Sequence, residues 1–600
     1  MTSTAMTSTA ITNAGRLRSA GWLAGDDEVA MAHRVALASA GVPVSQGQPV
    51  IGIANSASQL NPCNLPLRDL VGPVRDGIEA AGGVGVEFPT ISLGEDLMKP
   101  SAMLYRNLLA IEIEEMVRAN PLDGLVLLAN CDKTVPGTLM GAISANIPTV
   151  LVTGGSRPVV TFRGTPIGTG TSLWRLWDER RAGRLDDADW RSLERCLACG
   201  LGACNTMGTA STMAVISEVL GFMVPGASTI PAGDPRSART AKRAGEFAVH
   251  AVLDDRRPQR LLTSGSFRNA IVALNAIGGS TNAVIHLAAM AGRTGVAFEI
   301  EDIASVGRCV PVLADVEPSG SHLMADFDAA GGVPALLREI ADLLDGSAET
   351  VGGQRIGEVA ADAPALANHG LASGAIRPAG DPLRTGGAFG VVRGSLAPDG
   401  AVIKTSAATG RLLRHRGPAV VFRGYEDMLA RIDDPALPVT ADSVLVLAGC
   451  GPVGAGMPEW GMIPIPARLL NAGVTDMVRV TDARMSGTSF GTVVLHVAPE
   501  AAIGGPLALV KDGDMITLDL PAGNPDIRKS HIGKCDIEIS ETEMSRRRAE
   551  WVAPGTPHLR GWPALYASHV TQAPQGCDLD FLRAPTAAHR SFIEPVVGRS

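Results

Sequence analysis

Leu125-Val126-Leu127-Leu128-Ala129-Asn130-Cys131-Asp132-Lys133-Thr134-Val135-Pro136-Gly137, running on to Thr149-Val150-Leu151-Val152, is the stretch that decides the fold class. Leu125–Ala129 is an uninterrupted apolar run of strand length, bounded by turn-forming residues. The pattern that follows predicts a helix over about 138–146, and Thr149–Val152 is a second apolar strand. Strand, helix and strand in that order make a βαβ unit, the building block of a parallel sheet. Cys131-Asp132-Lys133 falls at the carboxyl end of the first strand.

The same alternation extends upstream. Val50-Ile51-Gly52-Ile53-Ala54 reads as a buried strand, followed by a loop holding Cys63 and a helix from about Leu67 to Ala81. Val84-Gly85-Val86-Glu87-Phe88 is the next strand, with Glu95 in the loop after it. Parallel α/β sheets hold ligands just beyond the carboxyl ends of their strands. Cys63, Glu95 and Cys131-Asp132-Lys133 all occupy that position.

Downstream, residues 206–300 read as mainly helical and Ala-rich. From about residue 385 the character changes. Gly386-Gly387-Ala388-Phe389-Gly390-Val391-Val392 and Lys511-Asp512-Gly513-Asp514-Met515-Ile516-Thr517-Leu518 read as short strands joined by tight turns. That predicts a β-rich second domain of barrel type, with the boundary near residue 380 in Arg377-Pro378-Ala379-Gly380-Asp381-Pro382. The expected organisation is an α/β domain over 26–380 and a β-barrel-like domain with a C-terminal extension over 381–600. Residues 1–25 begin with Met-Thr-Ser-Thr-Ala written twice, lack an apolar leader core, and are expected to be disordered.

Six hundred residues exceed the usual size of one domain and allow a large core. Fifty-two Lys and Arg against 61 Asp and Glu give a net charge of −9, with no dense basic tract, which argues against nucleic acid as a partner. No apolar run reaches the roughly 18 residues of a membrane span. Nine unevenly spaced Cys argue against a disulfide framework and fit reduced thiols in a cytoplasm better.

Three of those cysteines stand out. Cys63 in Asn61-Pro62-Cys63-Asn64, Cys131, and Cys204 in Gly202-Ala203-Cys204-Asn205-Thr206-Met207-Gly208 each lie in a Gly/Pro-punctuated turn. They are too far apart for a zinc knuckle, whose ligands come in close pairs. Thiolates from three distant turns suit an iron–sulfur cluster, and three rather than four would leave one iron open as a Lewis acid. Cys196 and Cys199 form Cys-x-x-Cys without a second pair or a His cluster, and read as ordinary thiols.

Glu95, Asp132 and Glu459 sit in Gly/Pro turns, where each alone reads as a solvated loop acid. Together they could build an oxygen-only site for Mg²⁺. Lys133 could join it only if modified to an acid, for example a carbamate. Ser486 in Thr481-Asp482-Ala483-Arg484-Met485-Ser486-Gly487-Thr488 alone reads as a turn residue; beside Mg²⁺ it could be held as an alkoxide base. Gly449-Cys450-Gly451-Pro452-Val453-Gly454 after an apolar strand matches a dinucleotide-binding turn, with Asp482 where a ribose-binding acid would lie. Pro452, Pro458, Pro464 and Pro466 deny it the helix that the motif must open.

Taken together these segments resemble the dihydroxy-acid / phosphogluconate / sugar-acid dehydratase family from Ile51 to Leu582. Gly278-Gly279-Ser280-Thr281-Asn282-Ala283 and Leu396-Ala397-Pro398-Asp399-Gly400-Ala401-Val402-Ile403-Lys404 add to the match. The resemblance implies an N-terminal α/β/α domain and a C-terminal β-barrel, with a site between them at a homodimer or dimer-of-dimers contact. It implies Cys63, Cys131 and Cys204 as cluster ligands, and Glu95, Asp132, a carbamylated Lys133 and Glu459 as Mg²⁺ ligands. Ser486 becomes the base and Thr488 a hydroxyl that orients it or the substrate. The segments Asn205–Met213 and His569–Leu582 resemble the sugar-acid branch, which implies a pentonate substrate, a [2Fe–2S] rather than a [4Fe–4S] cluster, and His569 near a distal substrate hydroxyl. The alternatives are the dihydroxy-acid dehydratase of branched-chain amino-acid biosynthesis and a cluster-bearing regulatory or electron-transfer protein.

Overall fold

The computed structural model describes residues 17–198, 200–366, 374–520, 532–555, 560–584 and 594–598. In the first half, β1 (Val50–Asn55), β2 (Val84–Pro89), β3 (Gly124–Leu128) and β4 (Thr149–Val152) form one sheet in the order β2-β1-β3-β4. Every pairing is parallel, with Gly52 beside Val86, Ile51 beside Gly124 and Leu125 beside Thr149. All five residues of β3 are buried, which is why its run carries no polar alternation.

The step from β1 to β2 goes outward on one side and the step from β3 to β4 on the other. Right-handed crossovers therefore put the helices Val71–Ala80 and Thr134–Ala145 on opposite faces of the sheet. The strand order reverses between β1 and β3, the switch point where such sheets bind ligands. The loops after these two strands carry Cys63 and Cys131-Asp132-Lys133. On one face Val71–Ala80 crosses Arg236–Leu253 backbone to backbone. A Cβ on Gly77 would lie 1.8 Å from the Lys242 carbonyl oxygen, and one on Gly245 would lie 2.2 Å from that of Val74.

After a hairpin, β5 (Val160–Phe162) and β6 (Thr165–Ile167), residues 206–300 form the helices Thr209–Val219, Arg236–Leu253, Ser264–Ala276 and Asn282–Thr294. The second half is a closed barrel of β7 (Phe389–Arg393), β8 (Gly400–Lys404), β9 (Arg414–Arg423), β10 (Val444–Ala448), β11 (Arg479–Thr481), β12 (Val493–Ala498), β13 (Met515–Asp519) and β14 (Ile532–Ile537). Its order is β10-β11-β12-β8-β7-β14-β13-β9, closed by the parallel pairing of β9 with β10. Side chains alternate as a barrel requires. Val444, Val446 and Ala448 fill the interior with Ile403, Val480 and Ile516, while Leu445 and Leu447 pack outward with Phe422, Met428 and Leu470. Phe389, Val391 and Val402 belong to the core of the first domain and so dock the barrel on it.

Several boundaries differ from the sequence reading. The helix expected at 138–146 begins at Thr134. The helix expected from Leu67 to Ala81 is a 3₁₀ segment, Leu65–Leu70, followed by Val71–Ala80. Residues 17–25 of the expected disordered start are folded: Ala20–Leu23 is a short helix, and Leu17, Ser19 and Leu23 are buried. Residues 1–16 lie outside the described residues. Among the described residues no helix is long and apolar enough to cross a membrane.

The Gly-rich turn after β10 is filled by the protein's own carboxylates. Asp482 accepts from the Gly449 and Cys450 N–H groups at 3.1 and 2.8 Å, and Glu500 from those of Val453 and Gly454 at 2.8 and 2.9 Å. The helix it opens, Pro452–Ala455, spans four residues.

Candidate active site

Three asparagines beside the cysteines fix the loops at the switch point. Asn64 Oδ1 accepts from the backbone N–H groups of Asn130 (3.1 Å) and Cys131 (2.8 Å), while its Nδ2 donates to Thr134 Oγ1 at 3.1 Å. Asn130 Nδ2 donates to the carbonyls of Cys63 and Gly155, both at 2.8 Å. Asn61 Nδ2 donates to the Leu93 carbonyl at 2.9 Å and so draws in the Glu95 loop. The Cys204 turn joins through Gly202 N–H to the Pro62 carbonyl (3.1 Å) and Ala203 N–H to that of Gly155 (2.9 Å). Four turns from distant parts of the chain are thereby one hydrogen-bonded unit.

That unit opens on a cavity of about 640 Å³ between the sheet and the barrel. Cys63, Cys131 and Cys204 line it together. The hydrogen bond from Cys63, burial and the Cys63 charge push the Cys131 thiol well above its ordinary range. Burial and then Cys63 push Cys204 up to about 12. Three thiols confined this closely are poor as free acids and suited as thiolate donors to an iron–sulfur group, so the residues fit one.

Beside them, Glu95, Asp132 and Glu459 each present an oxygen, all within 4.8 Å of one another. Lys133 is fully buried against this cluster: its Nζ is ion-paired with Asp132 and lies 3.6 Å from Glu459 Oε1 and 3.9 Å from Glu95 Oε2. Glu95 Oε2 is buried and has no hydrogen-bond partner among the described residues. Burial, against the pull of Lys133 and Arg484, raises the Glu95 carboxyl to about 7. Three convergent carboxylates with one orphaned oxygen fit a hard divalent cation.

Arg484, which the sequence reading gave no role, is fully buried and organises this cluster. Its Nη1 donates to Glu459 Oε1 and Asn282 Oδ1, both at 2.8 Å; its Nε donates to the Met457 carbonyl at 2.7 Å and its Nη2 to Ser101 Oγ at 3.0 Å. Asn282 in turn donates to Thr209 Oγ1 at 2.9 Å and to Glu459 Oε1 at 3.3 Å.

Ser486 and Thr488 also line the cavity, with Oγ and Oγ1 3.0 Å apart. The Trp174 indole N–H, which can only donate, bonds Thr488 Oγ1 at 3.1 Å. Thr488 Oγ1 and Ser486 Oγ share one hydrogen bond, and the Thr488 backbone N–H also points at Ser486 Oγ at 3.4 Å. A backbone N–H and a hydroxyl therefore both lie within hydrogen-bond reach of the serine oxygen.

His569 is not brought to this cavity. It ends the helix Gly561–His569, with Nδ1 3.1 Å from Asp580 Oδ1 and its ring edge-on to Phe581 at 5.2 Å. Cys196 packs beside Leu193 away from the cavity, and Cys199 lies outside the described residues. Asn61, Asn64 and Asn130 were legible as neighbours of the cysteines, and Arg484 and Asn282 lay inside quoted motifs. Trp174 carried no local signal.

Comparison with known proteins shows which chains this one is similar to. A family model described as dihydroxy-acid/6-phosphogluconate dehydratase N-terminal matches residues 48–359, and its C-terminal counterpart matches residues 374–577. The 6-deoxy-6-sulfo-D-gluconate dehydratase of Pseudomonas putida is 47% identical over 577 residues, covering 95% of this chain and 97% of its own. The L-arabonate dehydratase of Azospirillum brasilense is 45% identical, covering 94% and 97%, and the L-arabinonate dehydratase of Rhizobium leguminosarum bv. trifolii is 44% identical, covering 95% and 96%.

Proposed function

We propose, from the premise that this chain belongs to the dihydroxy-acid/6-phosphogluconate dehydratase family, that it is a hydro-lyase acting on a 2,3-dihydroxy sugar acid. Pentonates are the leading substrates and a 2-keto-3-deoxy acid is the product. The observation that carries this reading is the convergence of three thiols, three carboxylates and a paired serine hydroxyl on one cavity. The similarity to dehydratases of a sulfogluconate and of arabinonate supports the substrate class over a branched-chain dihydroxy acid.

Cys63, Cys131 and Cys204 would hold a [2Fe–2S] cluster, and Glu95, Asp132, Glu459 and a carbamylated Lys133 would hold Mg²⁺; bound there, these groups supply Lewis acidity for the departing 3-hydroxyl and for the C2 proton. Ser486 Oγ takes that proton, held in place by Thr488. The C2–H and C3–O bonds break, water leaves, and the remaining enol takes a proton at C3 to become the ketone. Arg484 keeps Glu459 and Glu95 turned toward the cluster of oxygens, and Lys133 balances their charge until it is carbamylated. A cytoplasmic homodimer belongs to the same reading. Side-by-side kinetics of anaerobically purified protein on pentonates, hexonates, a sulfogluconate and dihydroxyisovalerate test it. Preference for the branched acid would replace the sugar-acid reading, and no turnover of any would remove the enzymatic one.

A further inference from the structure

We infer that the amino end of the helix Thr209–Val219 is the cradle for the substrate's carboxylate; this rests on the proposal that the substrate is a 2,3-dihydroxy acid. The helix has 11 residues, and its cap, Gly208, offers no side-chain hydrogen bond. The first turn contains no acidic residue, and the first internal bond runs from Thr212 N–H to the Gly208 carbonyl at 2.9 Å. Among the described residues the N–H groups of Thr209, Ala210 and Ser211 have no acceptor, and all three residues line the cavity. Free N–H groups at a helix start, reinforced by its dipole, bind anions.

Independent of the helix, a fully buried hydroxyl beside its start, that of Thr206, lacks a partner among the described residues. Thr206 Oγ1 lies 4.0 Å from where a Cβ on Gly208 would sit; elsewhere in the cavity wall Ser489 Oγ is likewise buried and without a partner among the described residues. Such groups are costly unless a ligand or water meets them. The space is kept open by glycine: a Cβ on Gly487 would lie 2.6 Å from Thr209 N, and one on Gly208 2.9 Å from Thr488 Cγ2.

The position suits the chemistry. Gly487 rests on the helix start, so Ser486 stands beside the cradle, and the C2 proton is one bond from the carboxylate carbon. Asn282 links Thr209 Oγ1 directly to Glu459, so the same carboxylate neighbours the acidic cluster. As C2 loses its proton, charge moves onto the carboxylate oxygens, where fixed N–H dipoles stabilise it more than in the ground state.

The test is calorimetric binding of L-arabinonate and of its uncharged amide to cluster-bearing enzyme stripped of divalent ions with EDTA. The acid should bind at least about ten-fold more tightly than the amide. Ala210→Pro fits the first helical turn and removes one N–H; it should weaken the acid roughly 10- to 100-fold and leave the amide unchanged. Should that variant misfold, Ala210→Asp keeps the helix and fills the cradle with its own carboxylate, abolishing binding of the acid. Equal binding of acid and amide, no binding of the acid by the parent protein, or unaltered affinity in a folded variant overturns the cradle. Ala210-dependent binding of arabinonate without its dehydration keeps the cradle and sinks the sugar-acid reading instead.

Discussion

In the proposed mechanism Ser486 is an alcohol asked to act as a base, and its neighbours bear on how. Thr488 Oγ1 at 3.0 Å and the Thr488 N–H at 3.4 Å both face its oxygen, and Trp174 holds Thr488 Oγ1 in place with its own N–H. Ser486→Ala should lower kcat roughly 10²–10⁴-fold, the range of general-base catalysis, with KM little changed. Thr488→Val should lower kcat by roughly 10- to 100-fold, since it deletes a hydrogen bond to a charged oxygen, and Thr488→Ser should recover most of it. Exchange of the substrate C2 proton with deuterated water, measured beside turnover, checks both; near-normal exchange in Ser486→Ala would place the base elsewhere. At this scale the cysteines and acids were legible because each follows a strand or fills a Gly/Pro turn. Arg484 was not, because its role consists of bonds to residues such as Asn282, 202 positions away, which no local pattern encodes.

The elements of the site are held by few bonds, and Asn64 carries several of them. Asn64→Ala strands the buried N–H groups of Asn130 and Cys131 and should destabilise the protein by about 1–3 kcal/mol. Urea denaturation measures that loss, and an unchanged midpoint would mean the turns hold without it. Gly77→Ala tests the helix crossing: its Cβ would sit 1.8 Å from a carbonyl oxygen that cannot move alone. A loss of about 1–3 kcal/mol is expected from such overpacking. The strands β3 and β4 were readable because buried parallel strands are plain apolar runs. The start of the helix after Cys131 was misread by four residues because Val135-Pro136-Gly137 looks like a turn, yet proline is tolerated in the first turn of a helix. The 17–25 segment was missed for a different reason: Leu17 and Leu23 find their core only through tertiary packing.

Over the whole molecule, sheet and barrel each supply part of one site. Glu95, Asp132 and the cysteines come from the sheet side, and Glu459, Arg484 and Ser486 from the barrel side. Chelation should therefore abolish turnover while leaving iron–sulfur absorption intact, and Mg²⁺ with bicarbonate should restore it; activity that survives exhaustive chelation would remove the carboxylate cluster from the mechanism. Replacement of Cys63, Cys131 or Cys204 by Ala should bleach that absorption, whereas Cys196→Ala should not. The most direct test is proton NMR of L-arabinonate incubated in deuterated water with anaerobically purified protein and Mg²⁺. The account predicts a 2-keto-3-deoxy acid carrying a single deuterium at C3, formed by the parent protein and not by Ser486→Ala. Unchanged arabinonate, or a product that keeps its C2 hydrogen, would contradict it.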